Sequence, residues 1–407
     1  MTNPSSTTMA ASGAPVEHRR SMRLITLVLA FACGASVANL YYAQPLLDLI
    51  SRSFSVGQGV ATIVVTATQV GYALGLAFLL PLGDLVENRR LASRTLVLTA
   101  VALALAAVAP NLWFFLVVSA LVGVTSVVAQ ILVPFAAHLA PPDERGKFVG
   151  QVMTGLLLGI MLARTVASFA AAAWGWRSIY AISAVLMLGT SIALIAVLPR
   201  REPEHTEGYG SLLASIFGVV RTEPVLVRRA LSQACMFGAF TAFWTAITYQ
   251  LIDQHHLTQR GVAIFALVGA GGAAAAPLAG RLGDAGHGST GRIAAAMLAV
   301  ASLAVAGFGA SSVVVLAVAG VLLDVAVQVH QVLSLRDIYA LRSDARARVN
   351  SVYMTTVFVG AAASSLITGV VHDRWGWTGV TVFAAVLPVA GMLLWARGRA
   401  REGSTTD

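Results

Sequence analysis

Two charged side chains stand where the chain offers them little but hydrocarbon. Asp324 lies in LLDVAVQVHQVL (322–333) and Arg164 in MLARTV (161–166). A charge at mid-bilayer costs about 2.5–3.5 kcal/mol on insertion scales, so such residues face a wet cavity or one another. A carboxyl protonated in one conformation and ionised in another couples proton movement to a change of shape. A guanidinium presents planar donors to an anionic or hydroxylated solute. Asp324 and Arg164 are therefore the candidates for proton coupling or for holding substrate charge, with a permanent structural ion pair as the plainer alternative.

Their neighbours extend the pattern. Asp324, Gln328 and Gln331 follow i, i+4, i+7 and share one helix face. His330 is off that face and is expected to pack or cap. Similar polar stripes run through Ser119, Gly123, Ser126 and Gln130, through Thr241, Trp244, Thr245 and Thr248, and through Thr62, Thr66 and Gln69. Ser36, Asn39 and Tyr42 form another, with Gln44 nearby. Asn39, Tyr42, Gln69, Gln130, Trp244, Thr245, Gln328 and Gln331 are thus expected to line a cavity and meet substrate. RIAAAMLAVASLAVAGFGA (292–310) is the contrast, with almost no polar side chain.

The elements that must position these residues follow from composition. Of 407 residues, 57% are hydrophobic and 11% charged; a soluble domain carries about 25% charged residues. Mean hydropathy is +0.79. Stretches near the ~20 residues that span a bilayer run roughly 24–48, 58–80, 93–110, 112–138, 148–173, 178–198, 229–252, 261–279, 292–309, 312–335, 349–371 and 378–396. With the N-terminus inside, all but five of the 27 Lys and Arg residues fall in inside segments or tails; the five are Arg52, Arg164, Arg177, Arg260 and Arg374. Lysine and arginine favour cytoplasmic loops, so both termini are expected inside. The net charge of +9 then faces anionic lipid headgroups and calls for no nucleic acid.

The expected fold class is an all-α membrane protein: twelve transmembrane helices in two pseudo-symmetric six-helix bundles, with N- and C-termini cytoplasmic. Residues 1–23 read as an N-terminal tail, 24–198 as the first bundle, 199–228 as a cytoplasmic linker, 229–396 as the second bundle and 397–407 as a C-terminal tail. The stretch SLLASIFGVV (211–220) is apolar enough for a short surface helix. Asp48 and Asp253 read as solvated loop charges.

The halves repeat. PPDERGKFVGQVMTGLLLG opens the fifth span and RSDARARVNSVYMTTVFVG the eleventh, so that Asp143, Arg145 and Gly159 correspond to Asp344, Arg346 and Gly360. WGW recurs at 174–176 and 375–377, and LGD at 82–84 and 282–284. Six spans per half keep both halves in one orientation, the parallel-repeat plan of a rocking transporter. Arg164 corresponds to Ser365 and Asp324 to Gly123, so neither charge belongs to the shared scaffold.

LLPLGDLVENRR and its echo GRLGDAGHGSTGR resemble the loop signature of the major facilitator superfamily, a likeness that extends over the whole chain. It implies a conformational latch at Gly83, Asp84, Arg89, Arg90, Gly283 and Asp284, with Arg89 and Arg90 as partners of Asp84. Leu80, Leu85 and Glu87 depart from the signature. Ser119 and Gly123 occupy the region where the drug–proton antiporter branch carries an arginine. ANLYYAQPLL (38–47) and MLARTV are similar to a bacterial branch labelled as sugar or arabinose-type efflux.

The resemblance implies a secondary active transporter of the cytoplasmic (inner) membrane, monomeric, moving a small organic solute by rocker-switch alternating access. Proton-coupled efflux is the expected direction and proton-coupled metabolite uptake the alternative. A non-transporting receptor or scaffold is the alternative from another class. Lys147, in RGKFVG, is the sole lysine, which excludes a phosphate loop ending in GK[ST] and with it that kind of ATP-driven pump. No enzyme constellation, cofactor or metal site is expected; His255-His256 lacks a third ligand. Cys33 and Cys235 read as packing residues.

Overall fold

The computed structural model describes residues 14–140, 144–200, 208–341 and 346–403. For 14–21, 84, 270, 273–274, 276–278, 340, 346–347 and 397–403 it describes the backbone alone. Most of the two tails, part of the linker, and the repeat positions Asp143 and Asp344 lie outside the described residues.

The chain is helical throughout the described residues, because a segment in lipid must satisfy every backbone group internally. In order the elements are α1 (Ala14–Ala38), a 3-10 turn (Gln44–Leu46), α2 (Leu47–Phe54), α3 (Gln58–Ala61), α4 (Ile63–Leu74), a π turn (Gly75–Leu79) and a 3-10 turn (Leu80–Asp84). Next come α5 (Asn88–Ala107), α6 (Leu112–Thr125), α7 (Val128–Leu139), α8 (Arg145–Trp174), α9 (Arg177–Val197) and α10 (Tyr209–Thr222). The rest are α11 (Pro224–Asp253), α12 (Gln259–Ala266), a 3-10 stretch (Leu267–Ala274), α13 (Ala275–Asp284), α14 (Gly288–Phe308), α15 (Val313–Leu341) and α16 (Arg346–Gly403).

Nine helices among the described residues are long and apolar enough to cross a membrane. One of them, Arg348–Ala396, has 49 residues, about 73 Å at 1.5 Å per residue, against a hydrocarbon core of about 30 Å. It breaks at Gly376, whose φ of 59° and ψ of −152° are not helical and suit a residue without Cβ. The expected eleventh and twelfth spans flank that break.

Several spans expected as single helices are interrupted. The first ends at Ala38 and resumes only at Gln44. The fourth breaks between α6 and α7, where Thr125 and Ser126 hydroxyls donate to the carbonyls of Leu121 (3.0 Å) and Val122 (2.7 Å); such back-bonding bends helices. The eighth is the largest correction. Expected as one continuous span over 261–279, it comes as α12, a 3-10 stretch and α13. Its sequence through the break, LVGAGGAA, is poor in the side-chain contacts that hold an α-helix in shape, and glycine has low helix propensity. The helix in SLLASIFGVV is present as α10, which buries Leu212 and Val219.

Before residue 200, α1 packs on α7, α8 and α9, α5 on α6 and α9, and α4 on α6. After residue 224, α11 packs on α15 and α16, and α14 and α13 on α15. Small residues allow this closeness: a Cβ on Gly159 would run into the backbone of Gly34, and one on Gly123 into the Thr68 carbonyl. The two sets meet along α4–α16 and α8–α12. At the end opposite the linker, Gln58 Nε2 donates to Asp253 Oδ2 (3.0 Å) and Gly59 N–H to Asp373 Oδ1 (3.0 Å). There too the Tyr249 hydroxyl donates to the Gln58 carbonyl (2.9 Å) and Gln259 Nε2 to the Pro45 carbonyl (2.9 Å). At the linker end, Ser351 donates to the Leu76 carbonyl (2.8 Å). Asp48 corrects its expectation as a solvated charge: it is buried, with Arg52 Nε 3.0 Å from its carboxylate.

Candidate functional site

Four elements converge on the two intramembrane charges. The 3-10 turn supplies Gln44, α8 Arg164, α11 Trp244 and α15 Asp324. Arg164 is 2% exposed and Asp324 7%, so the cost of each charge must be met by what surrounds it.

Arg164 Nε donates to Gln44 Oε1 at 2.8 Å. Its guanidinium carbon lies 4.4 Å from the centroid of the Trp244 ring, 5.0 Å from that of Tyr41 and 5.1 Å from that of Phe240. A desolvated cation over an aromatic face gains about 2 kcal/mol or more. Asp324 Oδ1 accepts a hydrogen bond from Trp244 Nε1 at 2.8 Å. No ion pair within 4.0 Å joins Arg164 to Asp324. Trp244 links them instead: its ring face carries the cation and its edge N–H holds the carboxylate. The structural ion pair weighed from sequence is thus replaced by an indole bridge.

The break in the eighth span seats this arrangement. Gly269 and Gly272 lie against α15 and α11. A Cβ on Gly272 would stand 2.5 Å from Asp324 Cβ and 3.1 Å from its carbonyl carbon. One on Gly269 would stand 3.2 Å from Asp324 Oδ2 and 3.2 Å from the Trp244 ring. Glycine here lets backbone reach the carboxylate, as in transporters whose broken helices line a midplane site.

Several buried polar atoms have no hydrogen-bond partner: Arg164 Nη2 and Gln44 Nε2 at this centre, and, on α4 and α11, both amide atoms of Gln69 and the Thr245 hydroxyl. Beside Arg164 and Trp244 is a narrow crevice, bounded also by Pro45, Thr248, Leu251 and Phe265. A larger hollow of about 80 Å³ opens at the linker end between Gly83, Gln130, Leu212, Arg348 and Asn350.

The expected residues distribute unevenly. Trp244 is central. Thr245 and Gln69 are buried with unpartnered side chains. Gln130 lines the linker-end hollow, its Oε1 3.4 Å from Asn350 Nδ2. Gln328 and Gln331 are half-buried, one and two turns along α15 from Asp324. Asn39 and Tyr42 are corrected. Ser183 of α9 donates to Asn39 Oδ1 (2.7 Å), and the Tyr42 hydroxyl is 3.5 Å from the same Ser183. Both pack inside the first half because α1 stops at Ala38, so helical spacing does not carry through to Tyr42. Tyr41 takes the expected place beside Arg164. The sequence signal nearest to it is the proline at 45, which opens the 3-10 turn that carries Gln44.

Other contacts form at the latch positions. Arg90 Nε is 2.8 Å and Arg89 Nε 3.7 Å from Glu87; Arg89 also donates to the Leu198 carbonyl at 2.9 Å. Glu87 precedes α5 by one residue, so the arginines on the first turn reach it directly. The side chain of Asp84, their expected partner, lies outside the described residues. Asp284 Oδ1 pairs with Arg336 Nη1 at 2.9 Å, both exposed, and Gly283 lies against Arg336. His255 Nε2 bonds the Ala310 carbonyl (2.9 Å), and His330 Nδ1 is 2.5 Å from Gln233 Oε1.

A family model of the Major Facilitator Superfamily matches residues 26–338 and 230–406. The chain is 41% identical over 386 residues to a putative uncharacterized transporter of Escherichia coli K12, YgaY, covering 95% of this chain and 98% of that one. It is 31% identical over 402 residues to a probable transporter of Streptomyces coelicolor, SCO4007, covering 96% and 93%. Its fold is similar to that of the human organic anion transporter MFSD10 (TM-score 0.68, 15% identity, 92% and 99% covered) and to that of a D-xylose–proton symporter (TM-score 0.68, 15% identity, 91% and 97% covered). The chain belongs to the major facilitator superfamily. It is a multi-pass membrane transport protein, and such proteins act on small molecules.

Proposed function

We propose that this protein is a proton-coupled secondary transporter of a small organic solute that works by rocker-switch alternating access. Its twelve spans form two six-helix bundles, 24–198 and 229–396, joined by the linker 199–228. The tails 1–23 and 397–407 are cytoplasmic, and the protein acts as a monomer in the inner membrane. The observation that carries the reading is the indole bridge. Arg164 on one half and Asp324 on the other meet through Trp244, so a relative tilt of the halves changes what each charge faces. Asp324 is the proton-carrying group and Arg164 the group that senses solute. Gln69 and Thr245 line the path at this depth. Gln130, Gln328 and Gln331 line its linker end, with Gly83, Asp84, Arg89, Arg90, Gly283 and Asp284 governing closure there.

Direction follows from how proton and solute share the site. If they exclude each other, proton entry expels solute, the efflux expected from the sequence. If they bind together, solute enters with the proton. The separation of Arg164 from Asp324 favours the second arrangement, since the guanidinium is not consumed by the carboxylate. The test is reconstitution into liposomes with pH and sodium gradients imposed separately, followed by a solute screen. A pH gradient drives flux in the wild type and not in Asp324→Asn. Flux that responds to sodium alone, or to pH equally in both proteins, removes Asp324 from the mechanism.

A further inference from the structure

The guanidinium of Arg164 is only partly used. In a planar guanidinium Nε and Nη2 form one two-pronged edge, the edge that grips a carboxylate. Gln44 Oε1 takes the Nε prong at 2.8 Å; Nη2 has no partner. The amide nitrogen of Gln44, attached to the same carbon as that acceptor, has none either. Two buried donors, one of them cationic, therefore belong to the two groups of one hydrogen bond and have no acceptor of their own. Leaving such groups unmade is costly, and the surroundings do not supply the acceptor: Tyr41, Phe240 and Trp244 offer ring faces. Beside them runs a narrow crevice lined by Pro45, Arg164, Trp244, Thr248, Leu251 and Phe265.

We propose that the solute is a small organic anion. Its carboxylate rests on Arg164 Nη2 and Gln44 Nε2, its apolar or aromatic body packs against Trp244 and Phe265 when the halves part, and it travels with the proton on Asp324. The inference rests on the transporter reading above. Its electrostatic logic is the shared indole. An anion on Arg164 lies close to Asp324 through Trp244, so an ionised Asp324 repels it and a protonated one does not. Like charges a few ångströms apart at protein-like dielectric interact by enough to change affinity roughly tenfold or more. Proton and anion therefore bind together, and the loaded site gains no net charge.

The experiment uses the full-length protein in nanodiscs. Binding of benzoate and 3-methylbutanoate is measured by calorimetry at pH 5.5 and 7.5, against benzamide and tetraphenylphosphonium. The proposal expects saturable binding of a carboxylate, at least tenfold weaker at pH 7.5, with benzamide at least tenfold weaker than benzoate. Arg164→Gln abolishes it and Arg164→Lys retains a weakened, still pH-dependent site. Asp324→Asn binds at both pH values with the affinity the wild type shows at pH 5.5, a readout that mere misfolding cannot give. Equal binding of benzoate and benzamide, preference for the cation, or carboxylate binding indifferent to Arg164→Gln overturns the anion inference. Failure of every carboxylate to bind overturns it too. The transporter reading fails separately, if no solute of any charge moves under a pH gradient in liposomes.

Discussion

Adding one methyl group at three glycines of the eighth span tests how the site is built. At Gly280 a new Cβ meets nothing within 4 Å. At Gly269 it meets the tips of two side chains, the Asp324 carboxylate and the Trp244 ring, at 3.2 Å; both give way by a few tenths of an ångström. At Gly272 it would stand 2.5 Å from Asp324 Cβ, 3.1 Å from its carbonyl carbon and 3.3 Å from its Cα. No rotamer change relieves that contact, because the opposing atoms belong to the α15 backbone and the atom fixed to it. Overpacking of this kind costs about 1–3 kcal/mol, a factor of about 5–150. Gly280→Ala, in a helix interior, is neutral or gains up to about 1 kcal/mol in helix propensity. The expected order of stability is Gly280→Ala, then Gly269→Ala, then Gly272→Ala. The assay is the half-life of monodisperse protein in detergent at a fixed elevated temperature, read by size-exclusion chromatography. Gly272→Ala shortens it several-fold to a hundredfold relative to Gly280→Ala. Equal half-lives for those two variants refute the claim that the broken span is pressed against Asp324.

Other outcomes follow from the same geometry. Trp244→Phe keeps a ring for Arg164 but removes the N–H that holds Asp324; a hydrogen bond to a charged group contributes about 1.5–3 kcal/mol, so pH-driven flux falls at least tenfold, and Trp244→Ala falls further. Asp373→Asn removes the charge from the carboxylate that accepts from Gly59 N–H at the end opposite the linker. That end opens more often, and a cysteine placed at Thr248 reacts faster with a membrane-impermeant maleimide than in the parent background. Asn111→Ala deletes the side-chain acceptor for Phe114 N–H at the start of α6. It costs about 1 kcal/mol of stability, seen as a lower unfolding temperature with an unchanged KM for whichever solute is transported.

What the sequence made legible divides along physical lines. Continuous apolar runs give helices because lipid leaves the backbone no alternative, so α5, α8, α9, α11, α14 and α15 fall close to their expected bounds. The two intramembrane charges were legible for the same reason: a cost of that size is not kept idly. Breaks were harder. Nothing in hydropathy separates LVGAGGAA from the small-residue helix face it was taken to be, and the difference rests on which backbone it touches. The stripe Ser36, Asn39, Tyr42 assumed a period of 3.6 past the residue where the helix stops. Gln44 was placed only near that stripe, because its role, like that of Tyr41, comes from a partner about 120 residues away.

The 3-10 stretch at Leu267–Ala274 has a mechanical corollary. Eight residues rise about 2.0 Å each in this winding and about 1.5 Å each as α-helix. Rewinding the stretch would shorten the path between α12 and α13 by about 4 Å, some three-quarters of a helical pitch. α12 packs on α8, which carries Arg164, and α13 packs on α15, which carries Asp324. The stretch also packs on α8 and α15 directly, so its winding is tied to the spacing of the two rods that bear the charges.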